Sequence, residues 1–347
     1  MLFWIFFILF LFLCFAPISI GGIANSRLRY LVGVIFLLFV TVFRFDVGFD
    51  YSGYYYNMYP FFDEESYQRL EPAGQLFMVI SDFYRYPQIF FIFYGVITIV
   101  CFSIAFKKLS KNQFISFLFY IACYYLPGLS TVRQEAAVSI VLLGYVFIHE
   151  RKFIYYLSVC LIASLFHTTA IVCILFYPFF RIKSITKSIL ITFIIILCLV
   201  LALDVALSFP VFSAYYHYME DSDTFKGGSI MRYFYLLITF IVLGISYKKK
   251  DLSSFRFSLL ALVGCFLTLI LGGHIGGRIA EYFTIFLCIA LANVLQAYGK
   301  KFILSVGLSL SVLFMANIYI STKNPTKKPY TPYQTIFLID SKNPRFK

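Results

Sequence analysis

A few residues able to bind or move charge are scattered through an otherwise apolar chain: Arg44, Asp46, Asp50, Glu71, Arg133, Glu135, His167, Arg232, His274, Arg278 and Glu281. Ionisable groups at membrane depth are costly, so each is a functional candidate. Arg133, His167, Arg232 and Arg278 each stand at the first turn of an apolar segment read as a helix entering from the same side. A cation at a helix N-terminus opposes the macrodipole by about 0.3–1 kcal/mol. The placement becomes favourable once an anion arrives, because free backbone N–H groups and a planar guanidinium both donate to phosphate oxygens. The run from Gly272 to Arg278, Gly-Gly-His-Ile-Gly-Gly-Arg, adds backbone suited to an anion-binding nest. These residues predict a polyanion site facing outward within a helical bundle.

Each feature also has a plainer reading. Arg278 and Glu281 are three apart on one helical face and can pair. Arg133 and Glu135 do not face each other, so Arg133 needs another partner. Asp46 and Asp50 read equally as solvated loop carboxylates, Arg44 as an interfacial anchor and His167 as a hydrogen-bonded interior histidine. Asp221-Ser222-Asp223 has the spacing of a metal–nucleotide-sugar motif, but its short loop offers no nucleotide-binding fold and it reads as solvated. Residues 272–277 lack the GxxxxGK[ST] pattern of a nucleotide loop. The cysteines all fall inside apolar runs without a CxxC pair, and the four histidines lack HExxH-type spacing. No metal and no cofactor are expected.

The elements that must carry these residues follow from composition. Hydrophobic residues make up 61% of the 347 positions and charged residues 13%, about half of what a soluble shell carries. The fold class is an all-α polytopic membrane protein, a single transmembrane domain over 1–347, with about twelve helices (ten to fourteen). Spans are expected near 1–20, 28–45, 88–106, 112–127, 132–149, 153–166, 168–180, 188–208, 230–247, 255–272, 278–298 and 302–321. Leu2 to Ile20 lacks a basic leader and a small-residue cleavage site, so it reads as a retained span. Alternate loops hold Arg27 and Arg29, Lys107 to Lys111, Arg151 and Lys152, Arg181 to Lys187, Lys248 to Arg256, and Lys300 and Lys301. The positive-inside rule places these loops in the cytoplasm and the ionisable cluster outside. The net charge of +13 is therefore a topology signal, and no nucleic-acid partner is implied.

The apolar run 153–180 is long for one span and short for two. Basic loops at both ends require an even number of crossings, so it reads as a hairpin of two short helices turning near His167. A single long tilted helix is the alternative and would invert everything downstream. The larger outer segments are 46–87, 209–229 and the tail 322–347. Within the first, Pro72 to Tyr84 reads as a membrane-surface helix. No soluble segment is long enough to hold a catalytic domain, so the bundle itself must carry any active site.

Several of these residues fall in runs that resemble a known family. Arg44-Phe-Asp-Val-Gly-Phe-Asp-Tyr51, then Tyr54 to Tyr59 and Glu71-Pro72, resemble the opening of Wzy/EpsG-type polysaccharide polymerases. Thr131-Val-Arg-Gln-Glu-Ala-Ala137 is similar to the family's Arg-Gln helix start, and Ala163-Ser-Leu-Phe-His-Thr-Thr-Ala170 to its Phe-His element. Arg278 and Pro332-Tyr333 also fit. The likeness runs over about 44–335, and the segment 181–270 adds little to it.

The resemblance implies a glycosyltransferase that joins oligosaccharide repeat units carried on undecaprenyl pyrophosphate. It would act at the outer face of a bacterial inner membrane, in O-antigen, capsule or exopolysaccharide synthesis, beside a flippase and a chain-length regulator. Arg133, Arg278, Arg44 and His274 are then the expected pyrophosphate ligands. His167 is the leading base for the acceptor hydroxyl, with Asp50 and Glu71 as rivals. Tyr51, Tyr54 and Tyr55 are expected sugar platforms. Two other classes are alternatives: a flippase or transporter of lipid-linked sugars, and another lipid-linked-sugar enzyme such as an O-antigen ligase, which would share the outward anion site. Alternating access predicts charges reachable from both sides, and the one-sided cluster speaks against the transporter.

Overall fold

The computed structural model describes residues 1–17, 26–59, 62–207, 230–270, 276–324 and 328–338. His274, the outer loop 209–229 and residues 325–327 and 339–347 of the tail lie outside these residues.

The chain opens with α1 (Leu2–Phe15) and α2 (Ser26–Val42), followed by a two-residue strand β1 (Arg44–Phe45) and three short helices at one end of the bundle. These are α3 (Tyr51–Tyr56), α4 (Glu64–Gln68) and α5 (Pro72–Phe83). Helix α6 (Gln88–Leu109) runs back, with Lys107 and Lys108 in its last turn, where cations complement the exposed carbonyls. Asn112 then caps the next helix, its side chain accepting from the Ile115 amide at 3.3 Å. That segment is α7 (Gln113–Tyr120), a π turn (Ile121–Tyr125) and α8 (Leu126–Ser130), and it leads into α9 (Val132–His149).

Helix α10 (Phe153–Phe166) ends where His167 becomes extended, at φ −156° and ψ 118°. A 3₁₀ turn (Thr168–Leu175) and α11 (Phe176–Arg181) run back along it. The Tyr156 hydroxyl donates to the Cys173 carbonyl at 2.8 Å across this hairpin. The reading of two short helices turning at His167 therefore holds, and the single tilted helix does not.

The second half holds α12 (Ile185–Leu207), α13 (Ile230–Lys248), α14 (Leu252–Ile270), α15 (Gly277–Thr284), α16 (Leu287–Leu295) and α17 (Lys300–Ser321). Among the described residues, seven helical segments are long and apolar enough to cross a membrane, accompanied by four shorter apolar helices. The chain is an all-α multi-pass membrane protein. Helix α6 packs between α2 and α9, α9 packs on α10, and α14 packs on α12, α13 and α15. The α2–α6 approach requires a glycine: a Cβ on Gly95 would meet Val42 at 3.0 Å and Thr41 at 3.2 Å.

One further element closes the site end of the bundle. Strand β2 (Gln334–Thr335) pairs antiparallel with β1, Arg44 opposite Thr335 and Phe45 opposite Gln334. The Gly48 amide, at φ +114° in a region glycine tolerates, donates to the Pro329 carbonyl at 2.7 Å. Tyr333 stacks on Phe3 at 3.9 Å and donates to the Val40 carbonyl at 2.8 Å. The Trp4 indole donates to the Tyr330 carbonyl at 2.7 Å. The tail is thus stitched to both α1 and α2.

Candidate active site

Glu71 is the hub of the site. It occupies the N-cap position of α5, with Pro72 at the first helical position. Its side chain does not cap the helix and turns to two other elements instead. One carboxylate oxygen meets Nδ1 of His167 at 2.8 Å, and the other accepts from a terminal nitrogen of Arg133. Arg133 in the first turn of α9 also donates from Nε to the Tyr54 hydroxyl at 2.9 Å and lies over that ring. Three separate stretches of sequence are drawn together here, with side chains exposed by only 12% (Glu71), 5% (His167) and 21% (Arg133).

Burial alone would raise the Glu71 carboxyl. The His167 hydrogen bond and the Arg133 charge outweigh it and hold the group down at about 2. An ionised carboxylate only accepts, so His167 Nδ1 carries the hydrogen in this pair. In the tautomer with its single hydrogen on Nδ1, Nε2 is a lone pair. That atom is buried and has no hydrogen-bond partner.

Around His167 lies a cleft of about 20 Å³, lined by Asp50, Tyr54, Thr131, Arg133, Gln134, His167 and Arg278. Asp50, Thr131, Gln134 and Arg278 also line a neighbouring cavity of about 620 Å³, which continues past Arg232, Tyr235, Glu281, Asn317 and Tyr330. Among the described residues, no hydrogen bond or ion pair engages the side chain of Arg278 or the carboxylate of Asp50. A half-buried guanidinium lining a cavity with no carboxylate at ion-pair distance suits an anionic ligand. Gln134 holds the wall together, donating to the Arg278 carbonyl at 3.1 Å and to the Glu281 carboxylate. Glu135, 2% exposed, lies behind it against the Glu281 carboxyl, where Gly128 leaves the room. Tyr330 arrives from the tail. Burial first, and nearby Asp50 with it, push its phenol up to about 12 against a hydrogen bond to Ser130, so it remains a neutral donor.

The structure thus brings together Asp50, Tyr54, Glu71, Arg133, His167 and Arg278 of the expected residues. It sets three others apart. Arg44 is 1% exposed and spends its donors on backbone carbonyls of Thr41, Val47 and Leu129 at 3.2, 3.1 and 2.8 Å. Tyr51 is buried, stacked on Phe91 at 4.1 Å and donating to Gln88 at 2.6 Å. Tyr55 packs on Phe45 and Tyr59. None of these three lines the two cavities. Among the described residues, no ion pair or hydrogen bond joins the Arg278 and Glu281 side chains; the Glu281 carboxylate accepts from Gln134, and Arg278 acts on it only through charge.

Gln134, Tyr235, Asn317 and Tyr330 line the site without having been expected there. Gln134 adjoins Arg133 in the quoted run, and Asn317 is a lone amide within an apolar span. Tyr235 and Tyr330 carry no signal in a chain with 28 tyrosines.

Comparison with protein-family models matches residues 27–335 to the EpsG family. Comparisons with curated proteins and with solved structures return no match. The matched range takes in every element that builds the two cavities, from α2 through the returning tail, and by that measure the chain belongs to the EpsG family, with the polysaccharide-polymerase type of function that membership carries.

Proposed function

We propose that the protein joins oligosaccharide repeat units carried on undecaprenyl pyrophosphate, at the outer face of the bacterial inner membrane. The observation that carries this reading is the His167 ring. It is oriented by Glu71 through Nδ1, its buried Nε2 has no hydrogen-bond partner, and the residue lines a cleft that shares Asp50, Thr131, Gln134 and Arg278 with the larger cavity.

The chemistry divides between the two cavities. A hydroxyl of the incoming unit, seated in the small cleft, gives its proton to His167 Nε2 as its oxygen attacks the anomeric carbon of the growing chain. The bond from that carbon to the pyrophosphate breaks, and the electron pair leaves on phosphate oxygen. Arg278 stabilises the charge that develops there, an effect worth most in a site shielded from water. Glu71 positions the imidazole and stabilises its protonated form, with Arg133 and Tyr54 fixing the carboxylate in turn. Asp50 sits at the junction of the cavities and contacts the acceptor sugar. Two anionic lipid-linked units must meet, and the basic groups Arg133, Arg232 and Arg278 are gathered at the end of the bundle where they would do so.

The test is the polysaccharide ladder of cells lacking the gene. Single repeat units at the surface are expected, with ladders restored by the wild-type chain but not by Arg278→Ala or His167→Ala at equal expression. Arg278→Lys keeps the charge without the planar fork and should lose most of the activity. Near-normal ladders from Arg278→Ala would remove the anion-binding role. Lipid-linked units trapped inside the cell would replace the polymerase by a flippase.

A further inference from the structure

A lipid-linked substrate poses a geometric demand that the polar site does not meet. Its pyrophosphate must reach Arg278 while its isoprenoid chain stays in hydrocarbon, so the cavity has to open sideways between two spans. The large cavity has walls of both kinds. Asp50 and Arg278 stand on one side and Cys123, Leu126 and Met231 on another, an arrangement that suits an amphiphile.

The apolar wall is built around the π turn, whose wider backbone ring interrupts the regular ladder of carbonyls. The Cys123 carbonyl accepts from the Tyr235 hydroxyl of α13 at 3.0 Å, and the Ala122 carbonyl from the Asn317 amide of α17 at 2.9 Å. The two helices therefore straddle the turn, one on each side. Tyr235 also stacks on Tyr124, its ring centroid 5.5 Å away. Helix α13 packs on α14 and α16, and α17 on α1, α7 and the π turn, and among the described residues the two touch each other slightly at most. They are also the least buried of the seven long apolar segments among the described residues. Only 17% of α13 and 33% of α17 is buried, against 83% of the segment through the π turn.

We infer that the groove between α13 and α17, floored by the π turn, is the lateral entry for the isoprenoid chain of the lipid-linked substrate. The inference rests on the polymerase reading above. Its occupant is set by continuity with the Arg278 cavity: a chain lying in the groove has its phosphate end at the guanidinium and its far end among lipids. A chain leaving the cavity along the groove would run past Ile238, three residues from Tyr235, and Leu313, four residues from Asn317. These spacings keep each residue on the face of its helix that meets the turn. Both are half-buried and apolar.

The experiment uses purified full-length protein in nanodiscs and two donors. One is the lipid-linked repeat unit extracted from cells lacking the gene. The other is the same oligosaccharide on geranyl pyrophosphate, whose short tail does not fill the groove. Ile238→Trp and Leu313→Trp are expected to raise KM for the long-chain donor about tenfold more than for the short-chain donor. Val312→Trp, at a position 62% exposed on α17, is expected to keep the wild-type ratio. A photoreactive benzoylphenylalanine at position 238 should capture the radiolabelled long-chain donor, and excess unlabelled donor should suppress the capture. An unchanged ratio in both tryptophan variants, or capture of bulk phospholipid that the donor does not displace, would overturn the entry. A wild-type protein inert towards both donors would overturn the polymerase reading, and this inference with it.

Discussion

At the scale of single residues, two groups that look alike in sequence carry different loads. Arg133 and Arg44 are both arginines near helix ends, yet only Arg133 reaches a carboxylate. Arg44 is enclosed, and its three backbone acceptors join the end of α2, the loop after β1 and the end of α8. Arg44→Ala is expected to destabilise the protein by about 3 kcal/mol or more, since hydrogen bonds to a charged donor contribute about 1.5–3 kcal/mol each and carbonyls would be left unpaired. Thermal unfolding in detergent would show this as a lowered midpoint, with KM nearly unchanged in the fraction that folds. Glu71→Gln should behave in the opposite way, keeping the fold and lowering kcat by roughly 10- to 100-fold through a misaligned imidazole. The two outcomes separate a structural from a positioning role.

Glu71 also has a pH signature. Its carboxyl is held at about 2 in the folded protein, below the ordinary value of 4.5. Its contribution to stability is therefore complete above about pH 4.5 and is lost as pH falls towards 2. The wild-type unfolding midpoint should drop across that window, and the Glu71→Gln variant should drop less. Equal slopes would mean that the Arg133 and His167 contacts do not stabilise the carboxylate. The separate residues Glu71, Arg133 and His167 were each legible as candidates, because an ionisable group in an apolar run announces itself. Their mutual pairing was not, since sequence spacing says nothing about contacts spanning 62 and 96 residues. Tyr51 and Tyr55 were misplaced for a related reason: a tyrosine in a loop has the same composition whether it packs inward or faces a ligand.

At the scale of elements, hydrophobic runs and loop charges carried most of the information. The expected spans near 88–106, 132–149 and 302–321 correspond to α6, α9 and α17 within a few residues, because length and apolarity alone define a crossing. The turn at His167 was legible through the parity of basic loops. The π turn was not, since nothing in Ile121–Tyr125 marks a widened helix. Its consequence is local and testable. Gly128, one turn beyond it, faces the Glu135 side chain, and a Cβ there would stand 2.8 Å from Glu135 Cδ. Gly128→Ala is expected to cost about 1–3 kcal/mol by overpacking and to shift the Gln134 wall. Thermal unfolding would report the first effect, and a raised KM the second.

At the scale of the whole molecule, the tail is as much a part of the site as any span. Residues 328–338 pair with β1, receive the Trp4 indole and place Tyr330 in the large cavity. Removing the chain from residue 328 onward should abolish polymer formation while leaving the helical content by circular dichroism within about a tenth of wild type. Ladders of normal length from such a truncation would exclude the tail from the site. Pro332-Tyr333 had marked this region, but its return to the opposite end of the sequence was invisible, because a two-residue ribbon has no periodicity to read.

That stitch between the beginning and the end of the sequence has a consequence for biogenesis. Trp4 leaves the ribosome more than three hundred residues ahead of its partner Tyr330. Every span can be inserted by the translocon while the catalytic end remains unsealed. Under the polymerase reading, a nascent chain is silent toward its substrates until residues 328–338 have been translated and paired with β1, and an enzyme that would otherwise begin work half-built is held idle by the order of its own synthesis.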